Sequence, residues 1–118
     1  MSRLGPNVKL TLSATERDNV AELFAGALGA KAITPIPDMD VYIFPDGSRV
    51  GAHFIDPKEA LTPAQQRLGA WLEFLVEDLP AAIAACESAG CKAFPYGDGN
   101  LTYLAGPGGF CFRLDAAG

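Results

Sequence analysis

Gly29-Ala30-Lys31-Ala32-Ile33 returns as Gly90-Cys91-Lys92-Ala93-Phe94, sixty-one positions further on. Around this pair the chain falls into two matching halves. Pro45-Asp46-Gly47 reappears as Pro107-Gly108-Gly109, and Leu10 and Leu12 correspond to Leu72 and Phe74, each at sixty-two positions. Two copies of so long a unit point to a pseudo-twofold arrangement and not to a stacked solenoid. Neither half is long enough to cover its own sheet, so pairing them completes the core and leaves a concave surface between the sheets.

Each half reads as strand, helix and three strands. Residues 8–13 alternate apolar and polar, the period of a half-buried strand. Ser13-Ala14-Thr15-Glu16 has the spacing of a capping box, and Val20, Leu23, Phe24, Ala27 and Leu28 recur at helical intervals. Gly29 stands where a left-handed residue ends a helix. Strands are predicted at 31–36, 41–44 and 48–55, with turns at 35–38 and 45–47. In the second half, residues 71–76 put Leu72, Phe74 and Val76 on one side. Asp78 caps a helix with Pro80 in its first turn. Leu79, Ala82, Ile83 and Cys86 form its stripe, Gly90 ends it, and strands follow at 92–95, 101–104 and 110–114. Turns at 96–99 and 106–109 separate them. The expectation is one domain over residues 1–118, with pseudo-repeats at about 7–56 and 70–115 and a polar connector at 57–69.

With 118 residues, 49% of them hydrophobic and 19% charged, the chain can bury a core without crosslinks. A net charge of −5 disfavours nucleic acid and anionic membranes as partners, since both need a cationic face. No apolar run approaches the roughly 18 residues of a membrane span, and residues 1–6 lack the apolar core of a signal peptide. A soluble, cytoplasmic protein is expected. Cys86, Cys91 and Cys111 then read as small buried hydrophobes, because their spacing does not suit zinc. Cys111, between Phe110 and Phe112, is expected to stay protonated.

Two runs in the second half carry a family resemblance. They are Trp71-Leu72-Glu73-Phe74-Leu75-Val76-Glu77-Asp78-Leu79 and Tyr103-Leu104-Ala105-Gly106-Pro107-Gly108-Gly109-Phe110-Cys111-Phe112-Arg113-Leu114. With residues 81–90 between them, they resemble the vicinal oxygen chelate superfamily, which includes glyoxalase I, extradiol dioxygenases, fosfomycin-resistance enzymes and bleomycin-resistance proteins. The resemblance covers residues 7 to 115. It implies an α+β fold in which two βαβββ modules form a glyoxalase-like, cup-shaped mixed β-sheet with helices packed outside. It also implies ligand positions for a divalent metal on the first and last strands of each half. Those positions fall on Lys9 (Asn7 if the register slips by two), Gly51, Trp71 and Arg113. None of Lys9, Gly51, Trp71 or Arg113 offers a lone pair to a cation, so no metal and no cofactor is expected.

The same positions suggest a binding surface. Trp71 can stack on a flat ligand, or can pack at the seam between the halves. Lys9 and Arg113 either turn inward as a pair for a carboxylate or phosphate, or lie solvated at the rim. Glu73 shares the face of Trp71 and could neutralise one of them. His53, the sole histidine, projects from the same face as Gly51. It is a candidate general base or an ordinary strand-end residue, and Asp56 nearby is expected to end that strand. Tyr42, Tyr96 and Tyr103 sit on or beside strands that line such clefts. The glycine clusters at 97–99 and 106–109 open no helix and read as turns.

The function that follows is a non-metal binding protein of the glyoxalase/bleomycin-resistance type, with a small organic ligand as partner. Ligand contacts are expected from Lys9, Trp71, Arg113, His53, Tyr42 and Tyr103. The alternative is a lyase, isomerase or dioxygenase-like enzyme with His53 or Glu73 as catalytic base. A homodimer is expected in either case.

Overall fold

A computed structural model describes residues 1–96 and 101–117. The turn expected at 96–99 therefore lies largely outside the described residues. Among the described residues, eight strands form two four-stranded mixed sheets. The first contains β1 (Asn7–Ser13), β2 (Lys31–Ile36), β3 (Met39–Ile43) and β4 (Arg49–Ile55), in the order β1-β4-β3-β2. The second contains β5 (Trp71–Val76), β6 (Lys92–Phe94), β7 (Thr102–Ala105) and β8 (Cys111–Ala116), in the order β5-β8-β7-β6. In each sheet the outer first strand runs parallel to the last, and the others are antiparallel.

The antiparallel ladders of the two sheets share one register, whereas the parallel ladders differ by two residues, Asn7 facing Arg49 in the first and Trp71 facing Cys111 in the second. Tyr42 faces Val50 in the first sheet and Leu104 faces Phe112 in the second, both at an offset of sixty-two. Ala32 faces Tyr42 and Ala93 faces Leu104, so β2 and β6 are related at sixty-one. The second half thus holds one extra residue between its second and third strands. The change in repeat spacing visible in the sequence has this origin.

The first helix departs from expectation. Ser13 Oγ accepts from Thr15 N at 3.3 Å, and a 3-10 turn, Ala14–Glu16, precedes α1 (Arg17–Ala21). Glu16 does not close a capping box; its carboxylate accepts from Asn19 Nδ2. Beyond α1 the chain widens into a π-helical segment, Glu22–Ala27, and Leu28 N bonds Leu23 O at 2.9 Å. The apolar spacing of residues 20–28 was helical, but it did not distinguish the two pitches. Val20, Leu23 and Phe24 are buried all the same.

The reciprocal capping box lies in the connector. Thr62 Oγ1 accepts from Gln65 N, and Gln65 Oε1 accepts from Thr62 N, opening α2 (Pro63–Arg67) with Pro63 at its start. Gln66 Nε2 donates to Thr11 O at 2.8 Å and ties this helix to β1. Helix α3 (Leu79–Ser88) begins as the sequence predicts, with Asp78 Oδ1 accepting from Ala81 N. Gly29 and Gly90 both take positive φ at their helix ends. No helix among the described residues is long and apolar enough to cross a membrane.

One core joins the halves. Leu12, Tyr42, Val50, Ala52 and Phe54 from the first sheet meet Leu104, Phe112 and Leu114 from the second, with Phe24 and Phe110 between them. Aspartate is rarely buried without a partner, and Asp40 under β3 has a full set. Arg17 Nε and Nη2 donate to its two oxygens at 2.9 and 2.7 Å, and Thr34 Oγ1 donates at 2.7 Å. The Arg17 hydrogen bonds hold the Asp40 carboxyl below the usual carboxylate range.

Two outcomes follow. Gly109 has φ +95°, and an added Cβ would lie 2.5 Å from the Pro63 backbone. Gly109→Ala should lower unfolding free energy by about 2 kcal/mol from backbone strain alone, whereas Gly5→Ala, with open space around it, should leave the urea midpoint unchanged. Because Asp40 has a depressed pKa in the fold, its contribution is present at neutral pH and fades as pH falls below about 4. Asp40→Asn should lower the denaturation midpoint at pH 7, and its deficit against wild type should shrink at pH 3.

Candidate functional site

Strand alternation sorts the candidate residues by face. Leu72, Phe74 and Val76 pack against the core, so Trp71 and Glu73 stand on the opposite face of β5. The ladder sets Arg113 beside Glu73 on one side and beside Tyr103 on the other. Arg113 Nε donates to Glu73 Oε2 at 2.8 Å, and its Nη2 forms a second contact to the same oxygen. The guanidinium carbon lies 4.9 Å from the Trp71 ring centre and 6.0 Å from that of Tyr103. Pairing with Glu73, then hydrogen bonding with Tyr103, raises the Arg113 pKa further above its already high value. This cation is fixed in place and permanently charged.

Aromatic rings extend outward from the pair. Trp71 meets Tyr103 edge-on at 5.8 Å, and Tyr103 meets Tyr96 at 4.7 Å and Phe94 at 6.2 Å. Together with Arg67, Leu68 and Cys111 these rings line a cavity of about 430 Å³. A second cavity of about 340 Å³ lies at the seam between the halves, with Val8, Phe44 and Arg49 on one side and Trp71 and Glu73 on the other. Trp71, 42% exposed, borders both. Volumes in this range suit small organic molecules, whose sites run from roughly 300 to 1,000 Å³.

Trp71, Glu73, Tyr103 and Arg113 thus come together, with Tyr96 at the edge of the group. Lys9, His53 and Tyr42 do not join them. Lys9 is exposed on the first sheet opposite Gly51 and borders neither cavity that Trp71 borders. Tyr42 points to the helix-covered side, where its ring packs 5.2 Å from Phe24, and burial pushes its phenol up to about 12. His53 Nε2 lies 2.9 Å from Asp38 Oδ2 on the first sheet. This hydrogen bond holds Asp38 below the ordinary carboxylate range. Asp56 instead accepts from Lys58 N as it ends the strand. The Asp38–His53 pairing arises because the β3–β4 hairpin folds the turn at Asp38 back over residues 53 and 54, so no local motif announces it. Arg67 was also missed; its signal was the Thr62-Pro63-Ala64-Gln65 box that starts α2.

Among the described residues, no three His, Cys, Asp or Glu side chains converge in a way that could hold a metal ion. All three cysteines are buried and free. Burial pushes the Cys86 thiol up to about 11 and Cys91 up to about 12, and it raises Cys111 as well.

Comparison with known proteins addresses the architecture. No protein-family model matches the chain, and no curated protein matches its sequence. Solved structures do match. A protein from Agrobacterium tumefaciens superposes with a TM-score of 0.70 at 18% identity, covering 99% of this chain and 100% of that one. The genomically encoded fosfomycin-resistance protein of Listeria monocytogenes gives 0.71 at 14%, covering 100% and 93%. This fold is that of the vicinal oxygen chelate proteins. A glyoxalase/bleomycin-resistance protein from Albidiferax ferrireducens matches with a TM-score of 0.66 at 16% identity, covering 93% and 95%. The Listeria protein has also been solved with Mn(II) and a dihydroxypropylphosphonic acid. Likeness at these identities concerns the fold, and the vicinal oxygen chelate architecture hosts many chemistries.

The thiols provide a direct check on the site's surroundings. At pH 8, a raised pKa leaves each thiol protonated, and Cys86 should carry about a hundredfold less thiolate than at the ordinary value of 9.0. A thiol reagent should therefore label native protein slowly, with Cys111 at the cavity wall first, and reach three thiols rapidly only after denaturation.

Proposed function

We propose that this protein binds a small, flat organic molecule on the outer face of its second sheet, without a metal, and acts by sequestering or carrying it. The observation that carries this reading is the Arg113–Glu73 pair stacked on Trp71. In a metal-binding vicinal oxygen chelate protein, the corresponding positions on the first and last strands of both halves must present neutral or anionic donors. Here the resemblance assigns them to Lys9, Gly51, Trp71 and Arg113, with Glu73, the ladder equivalent of Lys9, beside Arg113. Lys9, Trp71 and Gly51 offer a cation no lone pair, and Arg113 and Glu73 are engaged with each other. This donor set does not fit a divalent ion, so no step is routed through one.

What remains is a recognition surface. Trp71, Tyr103, Tyr96 and Phe94 supply flat apolar walls, and the guanidinium of Arg113 lies against two of them, Trp71 and Tyr103. The working form in this reading is a homodimer, in which a second copy covers exposed Ile33 and Ile36 of β2 or Leu75 of β5. The rival reading, a lyase or isomerase, draws on the Asp38–His53 pair, in which the carboxylate orients the imidazole.

Intrinsic fluorescence of Trp71, the only tryptophan, provides the assay for a ligand panel. For any molecule that perturbs it, Trp71→Ala should weaken binding measured by calorimetry by about tenfold, the scale of one aromatic contact, with the circular dichroism spectrum unchanged. Stoichiometric manganese, nickel, zinc or iron in purified protein would overturn the metal-free reading. Turnover of the bound molecule that is abolished by His53→Gln would favour the enzyme.

A further inference from the structure

We infer that the ligand of the aromatic cavity is a planar aromatic acid whose anionic group is received by Arg67. The inference rests on the proposed binding role of this face and adds the charge and chemical class of what binds there.

Arg67 is the last residue of α2, and two features hold that helix in place. The Thr62–Gln65 capping box satisfies its first turn, and Gln66 anchors it to Thr11 O of β1. The Arg67 carbonyl also accepts from Cys111 Sγ at 3.5 Å, which sets its backbone against the cavity wall. From there the guanidinium lies over the Phe94 ring with its carbon 3.8 Å from the ring centre. Stacking of this kind uses the face of the guanidinium and leaves its N–H donors, which lie in its plane, available. Those donors match the two oxygens of a carboxylate.

Charge decides the sign of the ligand. Arg67 is the one charged side chain among the described residues lining this cavity. The neighbouring Arg113 is neutralised by Glu73. The described lining of the cavity is therefore cationic, on a chain whose net charge is −5. A cationic aromatic would face Arg67 directly, and the ring faces of Phe94 and Trp71 already attract guanidinium groups of the protein. An acid instead finds a cation in the same cavity as the rings of Trp71, Tyr96 and Tyr103.

The test uses three probes with one ring system: 2-naphthoate, 2-naphthamide and 2-naphthylmethylammonium. Binding is followed by calorimetry and by the Trp71 indole resonance in 1H–15N NMR spectra of the full chain. The acid should bind about fivefold to tenfold more tightly than the amide, the scale of one partly exposed charge-assisted hydrogen bond, and the ammonium most weakly. Added salt should erode the advantage of the acid and leave the amide unaffected. Arg67→Gln should bring the acid down to the level of the amide. If the amide and acid bind alike in wild type, or if the preference survives Arg67→Gln, the inference fails while the binding role stands. If none of the three shifts the Trp71 resonance, both fail.

Discussion

Phe24 is the point at which the two halves become one structure. Its ring, fully buried, lies within 6.4 Å of Tyr42 and Phe44 from the first half and of Phe74 and Phe110 from the second. Each such ring pair adds about 0.5–1.5 kcal/mol beyond simple burial, and here the pairs share a single side chain. Because this cluster draws Leu12, Val50 and Ala52 of one sheet toward Phe74, Phe112 and Leu114 of the other, it also dictates what faces away. The polar and ring-bearing alternates, Thr11 and His53 on one sheet and Trp71, Glu73 and Arg113 on the other, are left on the outer surfaces. The candidate site is thus a by-product of the same alternation that builds the core.

Much of this was legible in the sequence, because periodicity and turn chemistry are local. The ranges 31–36 and 71–76, the Asp78 cap and the helix-ending glycines Gly29 and Gly90 coincide with the structure. Alternation puts Glu73 on the face of Trp71, which made it a candidate to neutralise Lys9 or Arg113; the ladder, whose register the repeat offset does not give, selects Arg113. The misreadings share a cause as well. A capping box was assigned to Ser13–Glu16 on spacing alone, whereas the reciprocal bonds form at Thr62–Gln65. That spacing is a necessary condition, and only the pitch of the following turn decides whether the glutamate can reach back. Nothing local marks the π-helical widening at Glu22–Ala27.

Contacts made across long stretches of chain were beyond the sequence. Asp38 meets His53 through hairpin geometry, and Arg67 reaches Phe94 only because α2 is anchored to a strand fifty-five residues earlier. Tyr42 shows the converse difficulty. Its strand was assigned to a cleft-lining position, but the register with Val50 places its ring in the core. A tyrosine suits either surface, so the residue type does not decide between them.

Equivalence between the halves is set by strand pairing and not by a single sequence offset, and paired residues stand on the same side of their sheet. Through the pairing of first and last strands, Lys9 beside Gly51 in the first half answers to Glu73 beside Arg113 in the second, and Asn7 beside Arg49 answers to Trp71 beside Cys111. The molecule thus carries its own internal comparison, one frame setting an exposed lysine beside a bare glycine and the other an ion pair beside an indole and a phenol. A substitution placed at both members of such a pair separates the effect of the side chain from that of the frame.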